Sequence, residues 1–421
     1  MAEAQGSRPF TVAMPSLDGA TQVTAQLQEH PQDAAHPPAL LALAHSPLSI
    51  PRPPHQVPPT HVILSTGSGH GKAESFFHDV VAPILDLVHP GGTKAITLHT
   101  TTSANSILEL TRDLFLGRAN HGHAQRIILA SGDGGIVDLV NGLSPSDTRS
   151  ERYVAPTIIL LPLGTANALY HSINATTTGA GPNTWGLGAL SSTMTKPLPT
   201  FSATFSPGAR LVVDEARAEA HLPPSNALSG AVVVSWGMHA SLVADSDTAE
   251  YRKFGIDRFK MAAKEALYPA DGAMPHAYRG RVSILPATST TTTTTTTKDW
   301  VSIGDQHLYT LATLVSHLEA PFCISPRSKP LDGSLHLVHF GPTSGDEAMR
   351  IMGLAYQGGK HVDDDMVRYE AIEALKIEFD DDDARWRRVC VDGKIVRVEK
   401  GGWVDVRLHK GGAVASVAVI D

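Results

Sequence analysis

The residues best suited to chemistry lie at 131–143, SGDGGIVDLVNGL, where an acidic residue sits among glycines directly after the apolar run RIILA. Glycines let a backbone approach a ligand closely and adopt conformations that side chains forbid. Such loops usually bind phosphate, so the negative charge of Asp133 opposes the ligand unless the carboxylate does chemistry or organises a metal. Asp133 is therefore the candidate catalytic residue; the structural alternative is a carboxylate that caps the following helix.

Two other glycine loops also follow apolar runs. HVIL, ending at residue 64, leads into STGSGHGK, and TIILLP leads into LGTANAL. The first loop is similar to a nucleotide-binding P-loop, but only three residues separate Gly67 from Gly71, where that motif has four. Ala73 stands where the motif has a magnesium-binding hydroxyl. We therefore do not expect a P-loop enzyme.

These loops alternate with segments that predict strands and helices. Apolar residues recur on one face from Ala73 onward (Phe77, Val81, Ile84, Leu85 and Val88), which predicts a helix after the first loop. A second helix is expected after AITLHT. Apolar strands that alternate with helices indicate a parallel sheet covered on both faces, with ligands at the carboxyl ends of the strands. All three glycine loops lie at that edge.

The spacing of apolar residues changes after about residue 200. Short alternating runs bounded by turn residues, such as GAVVVSWG, GRVSILPA and ALKIEFD, predict an antiparallel β-sandwich. One helix is expected to interrupt them, at about Asp346–Ala355. Apolar residues inside such a sandwich could also hold a long hydrocarbon chain, since each buried methylene contributes about 0.8 kcal/mol.

The chain length and the positions of proline-rich and low-complexity segments predict the domain organisation. A chain of 421 residues exceeds the size of one hydrophobic core, so two domains are expected. Residues 1–60 are assigned to an N-terminal extension, either hairpin or disordered, that ends in a proline-rich linker from Ala34. Residues 61–200 form the α/β domain and 201–421 the β domain. The threonine run at 288–297 is expected to be an exposed insertion and Asp380–Asp383 a solvated turn.

Composition excludes several classes of protein. The net charge of −8 argues against a general nucleic-acid binder. Neither a signal peptide nor an apolar span of about 20 residues is seen, so a soluble or membrane-peripheral protein is expected. Cys323 and Cys390 give no disulfide framework, which fits a reducing cytoplasm. The spacing of His121, His123 and His361 predicts no protein metal site.

The motifs taken together are more specific than any one of them. SGDGGIVDLVNGL, LPLGTANAL, YRKFGIDRF and VCVDGKI resemble the diacylglycerol kinase catalytic-domain family, and within it the sphingosine kinase and ceramide kinase branch. The resemblance covers about residues 61–421. It implies an ATP- and magnesium-dependent lipid kinase. The implied fold is α/β plus β: an N-terminal Rossmann-like lobe, as in NAD kinases, and a C-terminal β-sandwich lobe that holds lipid. The last segment of the chain is expected to return to the first lobe.

The resemblance also implies roles for individual residues. Asp133 would accept the proton of the lipid hydroxyl or help to position magnesium. Ser241 and Asp245 would contact the lipid head group. The residues that would contact the nucleotide are Ser65, Gly67, Thr101, Ser131, Gly132, Gly134, Gly135, Gly164, Thr165, Arg252, Arg258, Asp392 and Gly393.

Three positions depart from the family pattern. Ser65 and Thr66 stand where the family has Asn-Pro, Lys394 replaces the Glu of an Asp-Gly-Glu motif, and Ser241 replaces the Asp with which sphingosine kinases recognise their substrate. The leading hypothesis is a kinase of sphingoid long-chain bases that associates peripherally with membranes. A ceramide or diacylglycerol kinase and a lipid-binding pseudokinase are the alternatives. NAD kinase activity shares the Gly-Asp-Gly loop, but YRKFGIDRF argues against it.

Overall fold

The structure is a computed structural model that describes residues 9–30, 33, 35–144, 149–174, 183–287 and 299–420. The chain divides into two compact units, Met1–Leu198 with Ala413–Asp421, and Pro199–Gly412. The threonine run predicted as an insertion, 288–297, lies outside the described residues. No helix among the described residues is long and apolar enough to cross a membrane.

The first unit opens with a three-stranded antiparallel sheet, β1 (Pro9–Pro15), β2 (Thr21–Gln28) and β3 (Ala39–Pro47). This differs from the sequence interpretation, which left a hairpin or disorder open for the start of the chain and assigned the segment from Ala34 to a linker. The prolines do not prevent β3, because Pro37 and Pro38 precede the strand and Pro47 ends it. Proline is tolerated at strand ends and on edge strands, and β3 is an edge strand.

A six-stranded sheet forms the centre of this unit. Its strands are β4 (Thr60–Leu64), β5 (Ile96–Thr100), β6 (Arg126–Ser131), β7 (Thr157–Pro162), β8 (Thr195–Pro197) and the terminal strand Ser416–Ala418. The strands β5, β4, β6 and β7 are neighbours in that order and all parallel. The terminal strand pairs in parallel with β7, and β8 pairs antiparallel with it.

Helices and helical turns follow the strands of this sheet. Helix α1 runs through Ala73–Phe76, a π-helical turn at Phe77–Val81, and Ala82–Val88; α2 runs through Ser106–Leu110, a π-helical turn at Thr111–Phe115, and Leu116–Asn120. Helices α3 (Asp133–Leu143) and α4 (Ala168–Ile173) follow β6 and β7, and 3-10 turns occupy Gly92–Ala95 and Leu187–Ser191. The apolar face predicted for α1 is buried in one core with β1, β2 and the central sheet.

The second unit is built on an antiparallel network of strands. These are β9 (Phe201–Phe205), β10 (Arg210–Val213), β11 (Ala218–His221), β12 (Ala227–Gly230), β13 (Val233–Gly237), β14 (Tyr278–Pro286), β15 (Val301–His307), β16 (Tyr309–Thr313), β17 (His317–Glu319), β18 (Phe322–Cys323), β19 (Leu335–Phe340), β20 (Arg368–Phe379), β21 (Arg388–Val391), β22 (Lys394–Arg397) and β23 (Trp403–Leu408), so that Ser416–Ala418 is β24. The described part of this unit also contains the helices α5 (Met238–Asp245), α6 (Ala249–Arg252), α7 (Asp257–Leu267) and α8 (Gly345–Ala355), with 3-10 turns at Lys360–Asp363 and Ala384–Arg387.

The long strand β20 joins the two halves of this network. Its first half pairs with β19 and its second half with β23, while β14 lies along the opposite edge. The fully buried Trp236 of β13 packs against Phe379 of β20 and Tyr278 of β14, with ring centroids 5.3 and 5.9 Å apart. Side chains of one half therefore pack against the other, as in a sandwich. The predicted fold class, α/β followed by antiparallel β, is confirmed.

The acidic run Asp380–Asp383 is exposed at Asp380, Asp382 and Asp383, as the predicted solvated turn requires, but Asp381 is buried. The side chain of Asp381 is only 1% exposed, and its carboxylate accepts hydrogen bonds from the backbone N–H of Arg279, at 2.8 Å, and from His276, at 3.2 Å. The carboxylate of Asp382 lies 3.2 Å from Arg279 Nη2. The run connects the end of β20 to the start of β14 through these contacts. Its partners, Arg279 and His276, are about a hundred residues away in sequence, so local composition could not predict them.

Candidate nucleotide site

The parallel strands β4, β5, β6 and β7 end at one edge of the central sheet, and three of the loops that leave this edge touch through glycines. A Cβ atom on Gly132 would lie 2.6 Å from the Cα of Gly164, and one on Gly164 would meet the Cα of Gly132 just as closely. A Cβ on Gly69, which has φ +51°, would overlap the carbonyl oxygen of Leu163. Only glycine permits these approaches, so the three loops form one backbone surface.

The N-terminus of α3 opens onto this surface. Gly132 occupies the N-cap position, and no side chain caps the helix there. Gly134 in the first turn is exposed with open space around it, as is Gly67 in the first loop. Gly135 instead faces Ser131, where a Cβ would lie 2.5 Å from the hydroxyl oxygen. Open N–H groups at a helix N-terminus attract anions, so this end of α3 suits a phosphate.

Asp133 points toward the next loop. Its Oδ2 accepts a hydrogen bond from the N–H of Ala168 at 2.8 Å, and its Oδ1 accepts one from the N–H of Leu169 at 3.1 Å. The carboxylate thus caps α4, not the helix that follows it directly. Burial raises the pKa of Asp133, and the two N–H donors oppose that rise.

The loops after β4, β5, β6 and β7 are here called the first to fourth loops. The fourth loop is held by Asn167, which has left-handed backbone angles at the N-cap of α4. Its Oδ1 accepts a hydrogen bond from the N–H of Gly164 at 2.8 Å, and its Nδ2 donates to the carbonyl oxygen of Gly164 at 3.0 Å. Thr165, predicted to contact nucleotide, is half-buried within this loop. Asn167 therefore fixes the glycine that touches Gly132.

Hydroxyl groups join the first loop to its neighbours. The Ser68 hydroxyl donates to Ser65 Oγ at 2.8 Å and lies 3.0 Å from Ser131 Oγ. The N–H of Thr66 donates to the Thr101 hydroxyl at 3.1 Å, and the Thr66 hydroxyl donates to the Thr101 carbonyl oxygen at 2.9 Å. The predicted residues Ser65, Ser131 and Thr101 are thus brought together.

The sequence interpretation missed Gly69 and Ser68. Gly69, not Gly67, makes the contact with the fourth loop, and Ser68 links Ser65 to Ser131. Neither could be chosen beforehand, because the Walker-like spacing gives no reason to prefer one glycine or serine of STGSGHGK over another.

The remaining predicted residues belong to the second unit. Ser241 is buried on α5 and accepts a hydrogen bond from the Tyr278 hydroxyl at 2.7 Å. Asp245, one turn later, pairs with Arg385 Nη2 at 2.9 Å and Arg388 Nη1 at 2.8 Å. Ser241 and Asp245 therefore lie one turn apart on α5, and their contact with a lipid head group stays a prediction.

Arg252 and Arg258 share one carboxylate. Arg252 Nη2 lies 3.0 Å and Arg258 Nη1 3.7 Å from Asp247 Oδ1. Burial lowers the pKa of Arg258, and Asp247 opposes this. The Nε of Arg258 is buried and has no hydrogen-bond partner among the described residues. This cluster has excess positive charge and a spare donor.

Asp392 and Gly393, predicted to contact the nucleotide, lie at the turn between β21 and β22 in the second unit. Both have positive φ, 47° and 87°, and they form the two-residue turn between β21 and β22. The Asp392 carboxylate accepts hydrogen bonds from the backbone N–H groups of Ala231 and Val233, each at 2.6 Å. An Asp-Gly pair is typical of such a turn, so its observed role is structural, and a nucleotide contact stays a prediction.

Comparisons with known proteins agree with this geometry. Residues 59–193 match the diacylglycerol kinase catalytic domain family. The sphingoid long-chain bases kinase 1 of Arabidopsis thaliana is 34% identical over 112 residues, which are 27% of this chain and 14% of that protein. A crystal structure of a diacylglycerol kinase from Bacillus anthracis superposes with a TM-score of 0.55 at 13% identity, covering 87% of this chain and 98% of that one. The matched residues, 59–193, contain the three glycine loops, so this part of the chain is similar to the diacylglycerol kinase catalytic domain.

Proposed function

We propose that the protein is an ATP-dependent lipid kinase that transfers the γ-phosphate to a lipid hydroxyl. The observation that carries the proposal is the contact of Gly69, Gly132 and Gly164 beside the open N-terminus of α3. Phosphoryl transfer depends mainly on positioning and on stabilising the charge of the phosphoryl oxygens. A surface of backbone donors beside a helix N-terminus supplies both.

The nucleotide would bind as its magnesium complex. Among the described residues no group of three or more His, Cys, Asp or Glu could hold a metal ion. Magnesium commonly keeps several waters and is held by substrate phosphates with one or two carboxylates. We infer that MgATP is the substrate, and that Asp133 is the carboxylate of the loops best situated to contact its hydration shell.

Asp133 is the proposed base. Each of its oxygens accepts one backbone N–H and keeps a lone pair for a further hydrogen bond. A raised pKa makes the carboxylate a stronger base than a solvated one. The lipid oxygen would form its bond to the γ-phosphorus as Asp133 takes its proton, and the bond from that phosphorus to the bridging oxygen would break to release MgADP.

The arginine cluster supports an anion contact in the second unit. Arg252 and Arg258 carry two positive charges against the single carboxylate of Asp247, and the buried Nε of Arg258 has no hydrogen-bond partner among the described residues. The resemblance assigns these arginines to the ATP phosphates, and we retain that assignment as part of the proposal. Arginine suits phosphate because its planar fork matches two oxygens at once.

The acceptor that the Arabidopsis relative suggests is a sphingoid long-chain base, with ceramide and diacylglycerol as alternatives. We also propose peripheral attachment to membranes through α7. Met261, Lys264 and Tyr268 lie at i, i+3 and i+7 on the exposed face of this helix, and Phe254 just before it is 53% exposed. Apolar side chains with lysines beside them are typical of surfaces that bind anionic membranes.

A pseudokinase is the second candidate, because both oxygens of Asp133 are already used to cap α4. Transfer of radiolabelled γ-phosphate from MgATP to sphinganine, ceramide and diacylglycerol in mixed micelles separates the two. Labelled product on any lipid excludes the pseudokinase. Lipid binding without product, in a protein that still binds ATP, would exclude the kinase.

A further inference from the structure

The strands of the three-stranded N-terminal sheet contain no charged residue. The sequences of β1, β2 and β3 are PFTVAMP, TQVTAQLQ and ALLALAHSP, without Lys, Arg, Asp or Glu, although 18% of the whole chain is charged. Charged side chains, lysine above all, are a common means by which strands at the surface avoid pairing with other chains. This sheet lacks that protection.

Strand β3 is an open edge of the sheet. Among the described residues it pairs only with β2, and seven of its nine residues are exposed. The other two, Leu40 and Leu43, pack against the core that includes α1. The chain after β3 crosses the β1–β2 turn, where the N–H of His55 donates to the carbonyl oxygen of Leu17 at 3.0 Å. The backbone N–H and C=O groups of β3 that point away from β2 are therefore left for another strand.

Other edge strands of the molecule are protected by charge or by proline. At the ends of their sheets, β8 contains Lys196 and β11 contains Glu219. At the opposite edge of the N-terminal sheet, β1 begins with Pro9 and ends with Pro15, which cannot donate a backbone hydrogen bond. β3 has a proline only at its last residue.

Most of the open edge is regular in geometry. The register between β2 and β3 shifts once, which places a bulge at Leu41. Bulges bend a strand and disturb pairing locally. Beyond the bulge, residues 42–47 of β3 pair with residues 21–26 of β2 without interruption. This run has the regular backbone spacing that a further strand requires.

The exposed side chains of the run favour an identical strand as the partner. They include Ala42, Ala44, His45 and Ser46. Three small side chains and an imidazole offer a peptide of another protein neither a pocket nor a charge pattern, on which the recognition of specific peptides at sheet edges depends. Two identical edges need neither, because a twofold axis matches them in length and register. Edges without charges also meet without repulsion.

We propose that the β3 edges of two copies of this chain pair antiparallel about a twofold axis at Ala44, so that two three-stranded sheets form one sheet of six strands. Ala44 lies in the middle of residues 42–46, and the axis places it opposite itself. The outer edges of the joined sheet are the β1 strands with proline at both ends, so association closes at two copies. The inference is independent of the proposed function, since neither ATP nor lipid takes part.

Sedimentation equilibrium over a range of protein concentrations tests the dimer. Two paired edge strands alone are expected to bury less than the roughly 1,200 Å² of a stable interface, so we expect a dissociation constant of about 1–100 μM. Each copy carries a net charge of −8, so added salt should strengthen the dimer by screening the repulsion between copies. A chain that stays monomeric well above this range of concentration overturns the proposal and leaves the edge to a peptide of another protein.

Ala44→Lys places two ammonium groups against each other at the axis. It should weaken the dimer by about tenfold or more, because like charges brought together at an interface are unfavourable. Thr11→Lys is the matched control, since Thr11 is exposed on β1 and the substitution changes the net charge equally. It should leave the dissociation constant nearly unchanged. Melting temperatures verify that both variants are folded.

Ala44→Cys reports the register of the pairing. Two thiols that face each other across neighbouring strands should form a disulfide on mild oxidation, and the native Cys323 and Cys390 are buried. Thr24→Cys is the control, because Thr24 is the partner of Ala44 on β2 and its two copies would lie three strand spacings apart, about 14 Å. A dimer that Ala44→Cys does not cross-link, that cross-links equally through Thr24→Cys, or that tolerates Ala44→Lys would place the contact elsewhere and overturn the proposal.

Discussion

The acidic residue in the glycine cluster is explained by its position between two helices. Asp133 begins α3 and at the same time caps α4 through Ala168 and Leu169. Its charge is therefore partly offset by the N–H groups at the start of α4, which reduces its repulsion of a phosphate near Gly134. The residue that looked anomalous in the sequence connects the third and fourth loops.

This double contact changes what Asp133→Asn should do. An amide oxygen can accept only one of the two N–H groups, and the amide nitrogen would face the other. We expect loss of phosphate transfer of at least 100-fold, together with a destabilisation of about 1–2 kcal/mol from the damaged helix cap. Initial rates at saturating MgATP and urea unfolding of the same preparation measure both effects.

Asp113→Asn is the control, because Asp113 is an exposed carboxylate on α2. A variant at Asp133 that keeps its activity would remove this residue from the chemistry. One that loses activity with unchanged stability would show that the cap contributes little and that the carboxylate acts chemically.

At the scale of loops and helices, the glycine contacts can be tested by a matched pair of substitutions. Gly164→Ala inserts a methyl group against the Cα of Gly132, whereas Gly134→Ala places one in open space. The first should separate the third and fourth loops and lower the affinity for MgATP by at least tenfold. The second should leave the fold intact, and any loss of MgATP affinity would then mark the open space as the nucleotide pocket.

Isothermal titration with a non-hydrolysable ATP analogue measures these affinities. Equal, near wild-type affinities for both variants would contradict a nucleotide site at the contact of the glycine loops. Circular dichroism spectra verify that each variant remains folded.

The elements that the sequence predicted well are those with local signals. Strand-loop-helix units in the first unit follow from apolar runs and glycines, and the apolar face of α1 from Phe77 to Val88 is buried as expected. The N-terminal sheet was missed because β3 is an exposed edge strand among prolines, and only its pairing with β2 defines it. Asp381 was missed for the same reason, since its partners Arg279 and His276 are distant in sequence.

The N-terminal sheet is part of the first unit's core, and its removal should be costly. Leu27 of β2 is fully buried in a cluster with Phe76, Phe77 and Val80 of α1. Leu27→Ala should lower the free energy of unfolding by about 2–5 kcal/mol, the usual cost of a large-to-small change in a core. Gln26→Ala, the exposed neighbour on the same strand, should change it little. If urea denaturation gave similar midpoints for both variants, the sheet would not contribute to this core.

At the scale of the whole molecule, buried histidines in each unit make stability depend on pH. In the first unit, burial and the neighbouring His99 lower the pKa of His61 to about 4. In the second, burial and the neighbouring His307 lower the pKa of His339 to about 3. The rings of His307 and His339 are hydrogen-bonded at 2.7 Å, and His307 Nε2 lies 3.0 Å from the carbonyl oxygen of Gly280.

The direction of the effect follows from the lowered pKa values. An unfolded histidine binds its proton near pH 6.5, whereas these buried rings do so only at a much lower pH, so the unfolded chain takes up more protons between the two values. The stability contributed by the neutral rings is complete above about pH 6.5 and is lost as the pH falls toward about 4. His339→Gln removes one titration while its amide can still donate to His307, so the free energy of unfolding should fall less steeply over this range. Urea unfolding at several pH values measures the slope, with His78→Gln, an exposed histidine of α1, as the control. A slope for His339→Gln equal to that of the wild type would mean that the His307–His339 pair does not couple protonation to folding.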